Sequence, residues 1–172
     1  MPTDSLPLLS HLKNVAVLSV AGEDATSFLQ AQLSFNVRSI CENSFGLAAW
    51  HSPAGKVKAL FRIVSVDSGW LLTTNSEGVD EVVHNLTRFV LRDDVSIVPA
   101  ASQVAALTGD AGSWLDANGV GLGNAPGDRA QATGLMWLRL GPKLIHTVGE
   151  TEALEAIGTD LGKGDGTESA AA

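Results

Sequence analysis

The stretch from Val15 to Arg62 constrains the fold more than any other, because it runs through strand, helix and hairpin patterns in a fixed order. Val15 to Val20 is rich in β-branched residues, which favour a strand. Gly22 interrupts that run just before Glu23 and Asp24, an acidic pair suited to the positive end of a helix dipole. From Ala25 onward, Ala25, Phe28, Leu29 and Leu33 share one helical face while Ser27, Gln30 and Ser34 point away, the pattern of a helix packed on a sheet. Gly46 to Trp50 and Val57 to Val66 then read as strands. Pro53, with its fixed φ, and Gly55, with its permissive one, join them as a hairpin.

Glu77 to Arg92 reads as a second helix, with Val79, Val82, Val83, Leu86, Phe89 and Val90 in its apolar stripe and Arg88 and Arg92 in its last turns. A strand at Val95 to Val98 follows, and Pro99-Ala100-Ala101-Ser102 marks a linker. Beyond it come a strand at Val104 to Leu107, a short helix opened by Thr108-Gly109-Asp110, and a loop rich in Gly and Asn. Strands at Leu135 to Leu140 and Lys143 to Val148, joined by Gly141-Pro142, precede a helix from Glu150 to Ile157. This βαββα order is that of a ferredoxin-like α+β unit lacking its last strand, and an open strand edge invites association. The expected organisation is therefore a domain over 1–99, an α+β unit over 103–158 and a disordered tail over 159–172, where Leu161 alone suits a core.

Composition narrows the function classes. In 172 residues, 45% hydrophobic and 17% charged describes a globular chain, and no apolar run is long enough for a membrane span. The start of the chain has no basic segment ahead of an apolar block, so the expected compartment is the cytoplasm. Cys41, the single cysteine, forms no internal disulfide and is expected to be inert packing. A net charge of −8 disfavours direct RNA binding, which depends on lysine and arginine neutralising phosphates.

Glycine-rich Gly119 to Gly123 is followed by Asn124-Ala125-Pro126-Gly127 rather than a helix, so it reads as a connector and not a dinucleotide loop. The Gly158 to Lys163 segment also misses the nucleotide-loop pattern. His11, His51, His84 and His146 show no metal-ligand spacing, so no metal site is expected.

Gly22-Glu23-Asp24-Ala25, Phe28-Leu29-Gln30-Ala31-Gln32-Leu33, Leu47-Ala48-Ala49 and Pro53-Ala54-Gly55-Lys56 together resemble the N-terminal half of the YgfZ-type folate-binding proteins, relatives of the T-protein of the glycine cleavage system. The resemblance continues through Leu86-Thr87-Arg88-Phe89-Val90, Asp94-Val95-Ser96-Ile97, Leu107-Thr108-Gly109 and Met136-Trp137-Leu138 to Leu144-Ile145-His146-Thr147-Val148. The family's Lys-Gly-Cys-Tyr-x-Gly-Gln-Glu signature does not appear, so the chain resembles a member cut short.

The resemblance implies a T-protein-like α+β fold, a sheet-plus-helices unit followed by the incomplete ferredoxin-like one. It also implies tetrahydrofolate or a derivative as cofactor, and partnership with iron–sulfur assembly proteins or client enzymes, with an indirect effect on tRNA modification. In the T-protein, one-carbon transfer relies on an aspartate pair; the matching positions here are Ala59 and Leu60, so no catalytic residue is expected. Lys56, Arg62, Arg88 and Arg92 are the candidate cations for a folate glutamate tail, with Trp50 a stacking surface for the pterin and His51 a further contact. The alternatives are a split fragment, or homo-oligomer, that associates through its open sheet edge, and an aminomethyltransferase-like enzyme using other residues.

Overall fold

This computed structural model describes residues 7–163. Its elements run β1 (Leu8–His11), β2 (Val15–Ala21), α1 (Ala25–Gln32), β3 (Gly46–His51), β4 (Val57–Val66), β5 (Gly69–Asn75), α2 (Val79–Thr87), β6 (Ser96–Pro99) and β7 (Gln103–Thr108). They continue with α3 (Gly112–Ala117), β8 (Arg129–Ala132), β9 (Leu135–Gly141), β10 (Leu144–Gly149) and α4 (Thr151–Lys163). The fold is α+β with two antiparallel sheets, one in each of two units: residues 13–101, and residues 7–12 together with 102–163.

In the unit of residues 13–101 the strand order is β3-β4-β5-β2-β6. Leu18 and Val20 of β2, Phe61 and Ile63 of β4 and Leu72 of β5 form one wall of the core, against Phe28 and Leu29 of α1 and Leu86 of α2. Burying a side chain such as Phe61 completely contributes about 2 to 3 kcal/mol. The hairpin forms as its sequence dictates: Gly55 has φ +76°, its N–H donates to the Ser52 carbonyl, and the Ser52 N–H donates to the Lys56 carbonyl. At the entry to α1, Asp24 does not cap its own helix. Its Oδ2 accepts from the Asp94 N–H at 2.8 Å, while the Asp24 N–H donates to the Asp94 carbonyl, clasping α1 to the chain before β6.

Strand β5 has no counterpart in the sequence reading. Trp70-Leu71-Leu72-Thr73-Thr74 lacks apolar–polar alternation because residues on both faces are shielded: Trp70, Leu72 and Thr74 on the helix side, and Thr73 on the other. Helix α2 stops at Thr87 instead of Arg92, its end tightened by bonds from the Phe89 N–H to the Leu86 carbonyl and from the Val90 N–H to the Thr87 carbonyl. Arg88 and Arg92 therefore lie beyond the helix, and Phe89 leaves the apolar stripe to become half-exposed. Cys41 is exposed, in a turn closed by its own N–H donating to Ser44 Oγ, rather than packed inside.

In the other unit the order is β1-β7-β10-β9-β8. The expected βαββα pattern gains two strands. β1 pairs with β7, Leu9 opposite Leu107, so residues 8–11 join this unit and not the one that follows them in sequence. β8 comes from the stretch that reads as a loop; Arg129-Ala130-Gln131-Ala132 is too short and too polar to signal a strand. Trp137, Leu107, Leu135 and Leu154 fill the core, and Trp114 tilts at 50° against Trp137 while donating from Nε1 to Asp160 Oδ2. Helix α4 runs on to Lys163, with Leu161 against the core, so residues 159–163 are helical and not tail. The remainder of the expected disordered tail, 164–172, lies outside the described residues.

Candidate functional site

The β3–β4 pairing divides the expected site residues between the two faces of one sheet. Side chains alternate along a strand, and Gly46, Ala48 and Trp50 of β3 face the helices, as do Ala59, Phe61 and Ile63 of β4. Leu47, Leu60 and Arg62 face the other way.

On the helix side, a cleft of about 440 Å³ opens between the hairpin and α2. Trp50, His51, Ser52 and Pro53 line one side, and Glu81, Asn85, Arg88 and Phe89 the other. Trp50 is buried, and Phe89 meets it edge to face, with ring centroids 6.5 Å apart and planes at 79°. Lys58 also lines the cleft, although simple alternation from Ala59 would turn it away. The register explains this: Trp50 pairs with Ala59 and His51 with Val57, so Lys58 is the extra residue of a β-bulge, which re-aims a side chain. Lys58 was missed in the sequence because a bulge depends on the partner strand. A smaller hollow of about 260 Å³, lined by Trp50, Lys58 and Asn85 among others, adjoins it and reaches Gly78.

On the opposite face, Arg62 lies in one cross-strand row with Leu47 of β3 and Thr73 of β5. Leu47 and Leu60 are 62% and 56% exposed, so this part of the face is an open apolar surface. Arg62 is half-buried within it, and burial lowers its pKa from the ordinary guanidinium value by penalising the charged form. Among the described residues its guanidinium makes no hydrogen bond or ion pair. Directly opposite, the buried Thr73 Oγ1 has no hydrogen-bond partner either.

The structure thus brings Trp50, His51 and Arg88 together, sets Arg62 on the other face, and leaves Lys56 exposed on the hairpin turn. The two positions matching the T-protein acids are separated as well. Ala59 is buried in the core, and Leu60 stands on the Arg62 face. No group of three or more His, Cys, Asp or Glu side chains able to hold a metal occurs among the described residues. No described helix is long and apolar enough to cross a membrane.

Comparison with known proteins places this geometry. The chain is 28% identical over 89 residues, 52% of its length, to the tRNA-modifying protein YgfZ of Colwellia psychrerythraea, and 23% identical over 163 residues, 91% of its length, to that of Vibrio atlanticus. The aminomethyltransferase T of the glycine cleavage system from Bartonella henselae superposes over 95% of the chain with a TM-score of 0.78 at 15% identity. The chain is similar to the YgfZ proteins and has the aminomethyltransferase T fold. No protein-family model matches it. The YgfZ-like match spans 28% and 49% of the two curated relatives, and 47% of the Bartonella chain. The heterotetrameric sarcosine oxidase from Corynebacterium sp. U-96 also shares the fold, with a TM-score of 0.64 at 13% identity, 95% of this chain matching 88% of that one.

Proposed function

We propose that this YgfZ-like chain is a cytoplasmic folate-binding accessory protein that supports iron–sulfur cluster assembly or repair, and affects tRNA modification through the enzymes that carry such clusters. The observation that carries the reading is Arg62, a half-buried cation without a protein partner, set in an apolar wall beside the position that matches a T-protein acid. An unpaired, partly desolvated guanidinium gains from a carboxylate ligand, and Leu47 and Leu60 offer a flat pterin an apolar surface. Thr73 Oγ1 supplies a further polar atom at the same row.

Leu60 replaces a carboxylate with an isobutyl group on that face, so the chain binds the cofactor without transferring a one-carbon unit from it. The relatives are named for tRNA modification, and the net charge of −8 favours an indirect route over contact with the RNA itself. Titration with tetrahydrofolate, followed by tryptophan fluorescence, tests the reading. Saturable binding that weakens in Arg62→Ala is the expected result, and no response up to about 1 mM ligand overturns it.

A second reading has its own observation. Leu47, Leu60 and Val57 are all more than half exposed on the β3–β4 hairpin, and the sarcosine oxidase chain of matching extent belongs to a heterotetramer. The same face would then pair with a second polypeptide. Light scattering across a concentration series distinguishes them: a monomer throughout argues against self-association.

A further inference from the structure

The geometry points to a second small-molecule site in the hairpin–α2 cleft, separate from the Arg62 face and independent of the folate reading: a pocket for a small planar aromatic compound carrying one net negative charge. Three observations converge on that chemistry. The cleft has the volume of a small-ligand site, about 440 Å³. Its aromatic wall is set by one contact, buried Trp50 meeting Phe89 edge to face, and Phe89, just past the end of α2, stays 47% exposed. An aromatic ligand laid on the exposed part of Phe89 removes that surface from water and adds a ring contact.

The charge of the lining sets the rest. Lys58 and Arg88 are cations on opposite walls, Glu81 is the single lining carboxylate, and the neutral Asn85 amide lies between Glu81 and Arg88 along the helix side. Within the cleft itself two permanent cations face one anion, Glu77 lining only the smaller adjoining hollow, so its lining is net positive in a chain whose overall charge is −8. Among the described residues Lys58, Arg88 and Asn85 make no side-chain hydrogen bond or ion pair, so their donors are available to a ligand carboxylate. The β-bulge matters most here. Without the extra residue, Lys58 would stand on the opposite face of the sheet and the cleft would carry no net positive charge.

The test uses naphthalene-2-carboxylate as the probe and 2-naphthylmethanol as its neutral counterpart, titrated into the isotopically labelled chain while backbone amide shifts are recorded. The carboxylate is expected to shift the amides of His51, Lys58, Arg88 and Phe89 saturably, with the neutral compound binding about tenfold more weakly. Arg88→Ala and Lys58→Ala are each expected to weaken the carboxylate about tenfold, whereas Arg62→Ala leaves it unchanged. Both single-residue changes remove exposed side chains, and unchanged amide spectra away from the cleft show that the fold is intact. Equal binding of the two compounds reduces the cleft to an apolar patch and overturns the proposal, as does the absence of saturable shifts up to about 5 mM. Loss of carboxylate binding in Arg62→Ala would merge the two sites and also overturn it.

Discussion

Trp50 and Phe89 lie 6.5 Å apart by ring centroid and nearly perpendicular, so a residue of the first hairpin and a residue past the end of α2 are held by one aromatic contact. This contact couples the cleft's two walls. Phe89→Ala removes the edge-to-face term and is expected to lower stability by about 1 kcal/mol, measured by urea denaturation. The Trp50 emission is expected to shift to longer wavelength as water reaches the ring. An unchanged denaturation midpoint would show that the contact contributes nothing.

Arg62 presents the opposite balance. Burial penalises its charge and no protein group repays it, so Arg62→Met keeps the length of the side chain and removes the desolvated cation. The denaturation midpoint is expected to stay equal to or above that of the parent, while tetrahydrofolate affinity falls at least tenfold. A clear loss of stability would make Arg62 a structural residue and remove its reason for binding a ligand.

Leu60→Asp tests the same face from another side. Leu60 and Arg62 are two residues apart on one strand and share a face, roughly 7 Å from Cα to Cα. The introduced carboxylate is expected to pair with the guanidinium and weaken folate binding several-fold, without creating one-carbon transfer. Calorimetric titration measures the first outcome and a demethylation assay the second.

Two glycines that look alike in sequence are expected to respond differently. Gly22 has φ +119°, and a Cβ there would overlap the Asp94 carbonyl, which is fixed by its bond from the Asp24 N–H. Gly22→Ala is expected to cost about 3 kcal/mol. Gly55 has φ +76° with open space around it, so Gly55→Ala carries only the left-handed backbone term, about 1 kcal/mol. Thermal unfolding of the two variants side by side checks the ranking.

Much of the unit of residues 13–101 is legible in the residues themselves. The strand at Val15, the amphipathic helix at Ala25 and the Pro53–Gly55 hairpin are local patterns, and each forms where its period and its turn chemistry place it. β5 escapes because its sequence lacks alternation, and β8 because four residues of middling polarity carry little signal. The candidate site is less legible. Trp50, His51 and Arg88 do converge, but the expected cationic pair of Lys56 and Arg62 does not, since one points into solvent from a turn and the other lies across the sheet.

What the sequence by itself determined was most of the local elements, their order and the resemblance to YgfZ, because hydrophobic period and turn residues act over a few neighbours, whereas β1, β5 and β8 carried too little local signal. Only the tertiary structure decided which strand lies beside which, that residues 8–11 join the sheet of the unit formed by residues 102–163, and that Lys58 joins Trp50 while Arg62 turns away. Those outcomes depend on cross-strand register, and a single extra residue at a bulge changes the face on which a side chain stands.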